Sequence, residues 1–147
     1  MSIKFKHNKK MNILDSRDLI TKRDNMKEEI YDSFIEEFPQ YEDMTESYED
    51  IRFEEEELIS WLEYWQQDKE HIEEIDELET DIDGFGSGVS LIDEDCFVDF
   101  IQEDLESIGE VPKNLPCYIV VDWDATADNL KDSYQEISYQ GNTYLVR

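Results

Sequence analysis

The fold of this chain is decided by residues 53–83, which read FEEEELISWLEYWQQDKEHIEEIDELETDID. Apolar residues recur there at steps of three, four and seven, a spacing typical of an amphipathic helix. These residues are Leu58, Ile59, Trp61, Leu62, Trp65, Ile72, Ile75 and Leu78. An uninterrupted helix over this stretch would run to roughly 40 Å at about 1.5 Å per residue. The pattern therefore predicts a folded rod with an apolar seam rather than a disordered acidic tail.

The outer face of this predicted helix is strongly acidic. From Glu54 to Asp83 there are 14 carboxylates against one cation, Lys69: Glu54, Glu55, Glu56, Glu57, Glu63, Asp68, Glu70, Glu73, Glu74, Asp76, Glu77, Glu79, Asp81 and Asp83. Like charges three or four residues apart on a helix repel, so their placement costs stability. B-form DNA carries about one charge per 1.7 Å of axis, and a rigid row of carboxylates can imitate part of that field. The alternative interpretation is a solvated helix face in an acidic protein.

The composition of the whole chain limits its partners. Its 147 residues include 40 Asp or Glu and 13 Lys or Arg, which gives a net charge of −27. Nucleic acid and anionic membranes would repel such a chain, so we expect a basic protein partner, no direct nucleic-acid binding and no membrane association. No apolar run approaches the length of a membrane span, and no signal-peptide pattern is present. Cys96 and Cys117 fit buried, reduced thiols in a cytoplasmic protein.

The first part of the chain is predicted to be a helix pair after a loose leader. Residues 1–11 form a basic leader that we expect to be disordered. Residues 12–83 are predicted to form an antiparallel helical hairpin, whose first helix is capped by Asp15 or Ser16 and stopped by Pro39. The apolar stripe of the first helix is then expected to pack against the seam of the long acidic helix.

The second part is predicted to be a smaller helix and hairpin module. Residues 84–90 are rich in glycine and predict a flexible hinge. Within residues 91–147 we expect a helix over 93–108, a short helix capped by Asp122 and a β-hairpin over 135–147. The buried side of the first of these helices is predicted to consist of Cys96, Phe97, Phe100, Ile101, Leu105 and Ile108, with Gly109 ending it. The fold class is therefore α+β, mainly α.

From Asp93 onward the sequence carries a series of short motifs. An acidic amphipathic helix precedes Gly109-Glu110-Val111-Pro112-Lys113-Asn114-Leu115, then Tyr118, Asp122-Trp123-Asp124, Asp128-Asn129-Leu130 and a hairpin with Tyr144. In these motifs the chain resembles the C-terminal part of the ArdA-type antirestriction proteins of phages and mobile elements. It is also similar to a group of small acidic phage proteins, which begin with a helix resembling Asn12-Ile13-Leu14-Asp15-Ser16-Arg17-Asp18-Leu19. The first resemblance implies an elongated DNA mimic that occupies the DNA groove of type I restriction–modification enzymes.

Two functional hypotheses follow. The first is an acidic DNA-mimic inhibitor, active in the cytoplasm of a bacterial host against a restriction–modification, CRISPR, nucleoid or transcription protein. Its site would be distributed over the 14 carboxylates named above together with Asp95, Asp99, Glu103, Asp104 and Glu106. The alternative is an acidic phage-type interaction module that binds a partner through the apolar seam. In that case Trp61 and Trp65 could anchor a homodimer or partner interface.

Catalysis and metal binding find little support in the sequence. His7 and His71 have no second ligand at metal spacing, and no phosphate-binding loop or nucleophile elbow is present. A calcium-binding loop can be aligned on Glu79, Asp81 and Asp83, but its twelfth position falls on Ser90, where a bidentate Glu is needed. We therefore expect no enzyme activity, no cofactor and no metal, although a divalent-cation-binding role remains a third hypothesis.

Overall fold

The computed structural model describes residues 11–147, so all of the predicted leader except Met11 lies outside the described residues. The described chain is mainly helical and carries one four-stranded antiparallel sheet, which confirms the predicted α+β class. It separates into two compact units. The helix-pair unit comprises residues 16–88, and the sheet unit comprises residues 11–15 together with 89–147.

The helix-pair unit is built on the two long helices that the apolar periodicity predicts. Arg23, early in the first helix, contacts Glu79 near the end of the second, while Ser33 contacts Trp61 near its beginning. The two helices are therefore antiparallel, as predicted. They are α1 (Ser16–Glu37) and α2 (Ile59–Asp81), and short 3-10 turns lie at Pro39–Met44, Tyr48–Asp50, Glu56–Leu58 and Phe85–Ser87.

The core of this unit lies between the facing stripes of α1 and α2. Ile30 and Phe34 of α1 and Ile72 of α2 are almost completely buried and form one cluster. The connection between the helices contributes Ile51 and Leu58 to the same cluster. Removing such apolar side chains from water provides about 25 cal/mol per Å² of buried area. This burial offsets the repulsion among the carboxylates on the outer faces.

The acidic helix is shorter than predicted. It spans 23 residues, which corresponds to about 35 Å, because Glu54 and Glu55 precede it and Glu56 and Glu57 lie in the 3-10 turn before it. At the other end, Asp83 lies beyond its last residue. Ile59, which the spacing assigns to the seam, is 52% exposed because it begins the helix on the solvent side.

The glycine-rich segment forms a compact turn. Gly84 and Gly88 have positive φ angles of 77° and 106°, which favour glycine. Between them Phe85 is buried in the helix-pair unit, and its carbonyl oxygen accepts a 2.6 Å hydrogen bond from the Ser16 hydroxyl. Ser90, the last residue of the predicted hinge, already belongs to a β-strand. The turn is thus anchored to the beginning of α1.

The sheet unit contains two strands that the sequence did not predict. The strands are β1 (Ile13–Asp15), β2 (Ser90–Asp93), β3 (Gln135–Tyr139) and β4 (Asn142–Val146), in the order β1-β2-β4-β3. Ile13 pairs with Ile92, which in turn pairs with Leu145, so the terminal hairpin continues into a sheet. Residues 13–15 therefore pair with the second half of the chain rather than with the predicted 12–83 hairpin.

The capping and turn signals in the sheet unit are borne out, but the helix predicted over 93–108 spans only Phe97–Ser107, because Asp93 ends a strand and Glu94–Cys96 form a 3-10 turn. The helices of this unit are α3 (Phe97–Ser107) and α4 (Trp123–Lys131), and the Asp122 carboxylate accepts a 3.0 Å bond from the amide of Ala125. Gly109 has a φ of 79°, and the Glu110 amide bonds the Leu105 carbonyl, which is the Schellman arrangement at a helix end. Gln140 and Gly141 both have positive φ, as the two-residue hairpin turn requires.

Two predictions of burial in this unit are wrong. Ile108 is 62% exposed because the helix ends before it, at Ser107, and the chain turns away at Gly109. Cys117 is exposed, while Cys96 is buried beside the sheet, where its sulfur accepts a 3.3 Å bond from the Asn12 amide. Cys117 lies between α3 and α4, in a segment that forms neither helix nor strand.

Candidate functional site

Negative charge is concentrated in the helix-pair unit. Residues 16–88 hold 26 of the 40 acidic residues and six Lys or Arg, which gives this unit a formal charge of −20. By contrast, the sheet unit holds 14 acidic residues and three Lys or Arg within its described residues. The candidate functional surface is therefore the acidic exterior of α1 and α2.

A regular row of carboxylates runs along α2. Successive members are separated by seven, four, three and four residues, so at 3.6 residues per turn they lie within about 60° of one another. This α2 stripe consists of Glu63, Glu70, Glu74, Glu77 and Asp81; all are exposed except Glu74, which is half-buried. It is about 27 Å long at about 1.5 Å per residue. Five of the predicted site residues therefore share one side of the helix.

Two predicted site residues instead form an ion cluster with α1. Arg23 is 8% exposed, and its Nη1 donates to Glu79 at 2.6 Å and to Asp76 at 2.9 Å. Its Nε donates to Asp24 at 3.2 Å. Burial acts to lower the pKa of Arg23, but the hydrogen bonds that it donates to Glu79 and Asp24, together with their charges, outweigh burial and the pKa is raised. Asp76 and Glu79 therefore stabilise the helix pair, and their charges are partly neutralised.

Two further sets of acids at the beginning and middle of α2 have local roles. Lys69 donates to Glu73 one turn later at 2.7 Å and lies over the ring of Phe53. The four carboxylates of residues 54–57 precede the N-terminus of α2, where negative charge interacts favourably with the helix dipole. Asp68 is half-buried. These residues contribute to the field of the unit, but each also serves the fold.

Buried and charged surroundings perturb two titrating side chains near this surface. Burial, followed by the charges of Glu73, Asp76 and Glu49, raises the pKa of Tyr48 to about 12. For His71, burial and the nearby Lys22 lower the pKa, against the opposing effect of two carboxylates. Both shifts follow from dense packing beside a highly charged face.

The carboxylates predicted on the 93–108 helix belong to the other unit. Asp99 and Glu103 are exposed on α3, whereas Asp104 and Glu106 are half-buried. Asp95 is exposed but lies in the 3-10 turn Glu94–Cys96 before α3. The structure therefore brings α1 and α2 carboxylates together in one compact unit and places the α3 carboxylates in the second unit.

Sequence reasoning missed the acidic face of α1. Its exposed carboxylates recur at steps of four, as in the α2 stripe, so the same spacing criterion could have found them. The residues are Glu28, Asp32 and Glu36, with Glu29 and Glu37 beside them. The helix also has no basic residue in its last turn, so nothing there offsets the negative end of its dipole.

The described residues offer no metal centre and no membrane span. Within residues 11–147, no group of three or more His, Cys, Asp or Glu side chains is placed to hold a metal ion. No helix in that range is both long and apolar enough to cross a membrane. The aligned calcium loop is also interrupted, because its later residues enter the turn at Phe85 and the strand β2.

The chain was compared with protein families, with curated proteins and with solved structures, and none of them matches. The resemblance to the ArdA-type proteins therefore stays a prediction from the sequence.

Proposed function

We propose that this protein is an acidic DNA mimic that inhibits a basic DNA-binding protein by occupying its nucleic-acid site. The target class would be a restriction–modification, CRISPR, nucleoid or transcription protein in the cytoplasm of a bacterial host. The helix-pair unit carries the mimicking surface, and the exposed carboxylates of α3 add negative charge in the sheet unit. No catalytic step, cofactor or direct contact with nucleic acid is part of this function.

The observation that carries the proposal is the linear charge density of the helix-pair unit. The two helices together hold 16 acidic and five basic residues, a formal charge of −11, and the longer of them, α2, spans 23 residues, or about 35 Å. This gives about one charge per 3 Å of helix axis, close to the roughly 3.4 Å per charge of one strand of B-form DNA. A protein site built to neutralise phosphates would meet a similar field.

The rigidity of the surface also supports mimicry. The α2 stripe lies on a helix whose opposite side is fixed by Ile72, Ile75 and Leu78, all buried against the rest of the unit. Carboxylates held in fixed positions lose less entropy on binding than those of a disordered tail. An acidic coat that served only solubility would not need this backing.

The alternative function finds less support, because much of its proposed surface is buried and only the end with Trp61 and Trp65 stays partly open. The apolar seam of α2 is filled by α1, because Ile72 packs in one buried cluster with Ile30 and Phe34. A partner could reach the buried part of the seam only after α1 was displaced, which would expose the core of the unit. The distributed acidic exterior is therefore the better candidate for binding.

The test is capture of basic proteins by the full chain, followed by release with DNA. Immobilised protein is incubated with bacterial lysate at low salt, and bound proteins are eluted with duplex DNA or with rising salt. We expect DNA-binding proteins to be retained and then released by both treatments, since their sites are electrostatic. A retained partner that neither DNA nor salt displaces would contradict mimicry.

Two matched variants locate the surface. The first neutralises four exposed members of the α2 stripe: Glu63→Gln, Glu70→Gln, Glu77→Gln and Asp81→Asn. The control removes the same number of exposed charges from the sheet unit: Glu110→Gln, Asp124→Asn, Asp128→Asn and Asp132→Asn. We expect the stripe variant to lose at least about tenfold in affinity for the captured protein and the control much less. Equal losses would mean that only net charge matters.

A further inference from the structure

A groove with aromatic walls lies at one end of the helix pair. It encloses about 450 Å³ between the last turns of α1 and the first turns of α2, and it opens to solvent. Trp61, Tyr64 and Trp65 line its α2 side, and Phe38 lines the other. Tyr64 is 81% exposed, so most of its ring surface is available to a partner.

The two indoles of the groove are held in fixed orientations. Trp61 Nε1 donates to the Ser33 hydroxyl oxygen at 2.9 Å, and Trp65 Nε1 donates to the same atom at 3.1 Å. The Tyr64 ring lies 5.2 Å from that of Trp65 at an interplanar angle of 78°. The aromatic surfaces are thus arranged before any partner binds, which reduces the entropy lost on binding.

The rim of the groove is acidic. Glu37 lines it from the last turn of α1 and Glu57 from the 3-10 turn before α2, and neither forms an ion pair with any described residue. The end of α1 contributes further negative potential, because its last turn contains no cation. Elsewhere in the described chain, the cation–π contacts use Tyr48, Phe53 and Tyr134, and none uses a ring of this groove.

Aromatic faces beside carboxylates have the chemistry that binds a guanidinium group. The planar arginine head stacks on indole and tyrosine rings and can also bind a carboxylate through two parallel hydrogen bonds. A lysine ammonium satisfies the charge but lacks the planar fork. Tryptophan, tyrosine and arginine are also the residues that dominate binding energy at protein interfaces.

We propose that this groove is an anchor site for one arginine side chain of the basic partner. The inference rests on the proposed function, which supplies a partner rich in arginine. It adds a specific contact to an otherwise distributed electrostatic surface. The α2 stripe attracts the partner at long range, and the groove fixes its register through one guanidinium.

The test compares two short probes that differ only in the basic residue. The full-length protein is titrated with a capped (Gly-Arg)₃ peptide and with a capped (Gly-Lys)₃ peptide at about 0.15 M salt, where screening suppresses long-range attraction. Wild type is expected to bind the arginine peptide about fivefold more tightly, a difference of about 1 kcal/mol. Tyr64→Ala should abolish this preference.

A matched aromatic control distinguishes a loss that is specific to the groove from the effect of removing any exposed tyrosine. Tyr118 is 82% exposed and lies in the sheet unit, so Tyr118→Ala removes a similar side chain elsewhere. This variant should keep the fivefold preference for arginine. Circular dichroism must show that both variants fold as wild type, which their solvent exposure favours. An arginine preference that survives Tyr64→Ala, or that wild type lacks, would overturn the proposal.

A second pair of variants tests the acidic rim. Glu37→Gln combined with Glu57→Gln should weaken binding of the arginine peptide more than Glu28→Gln combined with Glu29→Gln, which removes two exposed charges from the middle of α1. Equal effects would contradict a local site.

The outcomes distinguish the groove from the wider function. If Tyr64→Ala leaves peptide selectivity intact while neutralising the α2 stripe abolishes capture, the groove proposal fails and mimicry stands. If the peptide preference depends on Tyr64 but captured proteins are not released by DNA, the groove stands and mimicry fails.

Discussion

The ion cluster around Arg23 makes the sharpest prediction about stability. The side chain of Arg23 is 10% exposed and binds carboxylates from both helices, including Asp76 and Glu79 of α2. Arg23→Met keeps much of the side-chain volume but leaves these carboxylates without their shared cation. The remaining charges then repel one another within a unit that already carries a charge of −20.

The expected loss in the free energy of unfolding follows from how deeply these ion pairs are buried. Removing one partner of a fully buried ion pair costs about 3–5 kcal/mol, whereas exposed pairs contribute about 0–1 kcal/mol. Arg23 is largely buried, but Asp76 and Glu79 are 47% and 43% exposed, so an intermediate value applies. We expect Arg23→Met to lower the free energy of unfolding by about 2–3 kcal/mol. Lys22→Met, which removes one exposed charge from the same helix, should cost no more than about 0.5 kcal/mol.

The assay is urea unfolding of the full chain, followed by tryptophan fluorescence in a Trp123→Phe background. Trp61 and Trp65 then report the helix-pair unit alone. Adding Asp76→Asn and Glu79→Gln to Arg23→Met should recover part of the loss, because the repulsion is relieved. Added salt should also stabilise Arg23→Met more than wild type by screening. If Arg23→Met loses no more stability than Lys22→Met, the cluster is not what holds the two helices together.

Two further predictions test backbone and ionisation features of the helix-pair unit. Gly88→Ala should destabilise the chain by about 1–2 kcal/mol, since φ is 106° and the new Cβ would lie 2.7 Å from Arg17 Nε. Gly86→Ala, which meets no atom within 4 Å, is the control, and equal urea midpoints would refute the reasoning. Burial raises the pKa of Tyr48 to about 12. The contribution of its neutral hydroxyl to the free energy of unfolding is therefore complete below the ordinary tyrosine pKa of about 10 and is lost as the pH rises through 12. The tyrosinate absorbance of wild type minus that of Tyr48→Phe should therefore titrate near pH 12; a difference that titrates near pH 10 would contradict the burial of this hydroxyl.

Local patterns in the sequence predicted the elements that depend on neighbouring residues. The helical spacing of the seam predicted α2, and Pro39 marked the end of α1. Asp122 and Gly109 correctly marked a helix beginning and a helix end, because capping is satisfied within a few residues of the chain. The run of acids predicted an acidic outer face for the helix, but not which five of them form the α2 stripe.

Only the tertiary structure decided which residues meet over long separations. The strands β1 and β2 are three and four residues long, so their pattern is weak, and they form because Ile13 lies opposite Ile92. The sequence alone could not separate Asp76 from the solvent-facing carboxylates, since its role depends on Arg23, 53 residues away.

The groove shows the same division between local and long-range information. The order Trp61, Tyr64 and Trp65 on a helix was evident in the sequence, but Ser33 and Glu37 come from the other helix. Their meeting depends on the register in which α1 and α2 pack. Charge, periodicity and caps are properties of neighbouring residues, so the sequence by itself determined an acidic helix pair and a terminal hairpin. Packing across the chain determined which charges are neutralised, which stay exposed and where an aromatic groove opens between them.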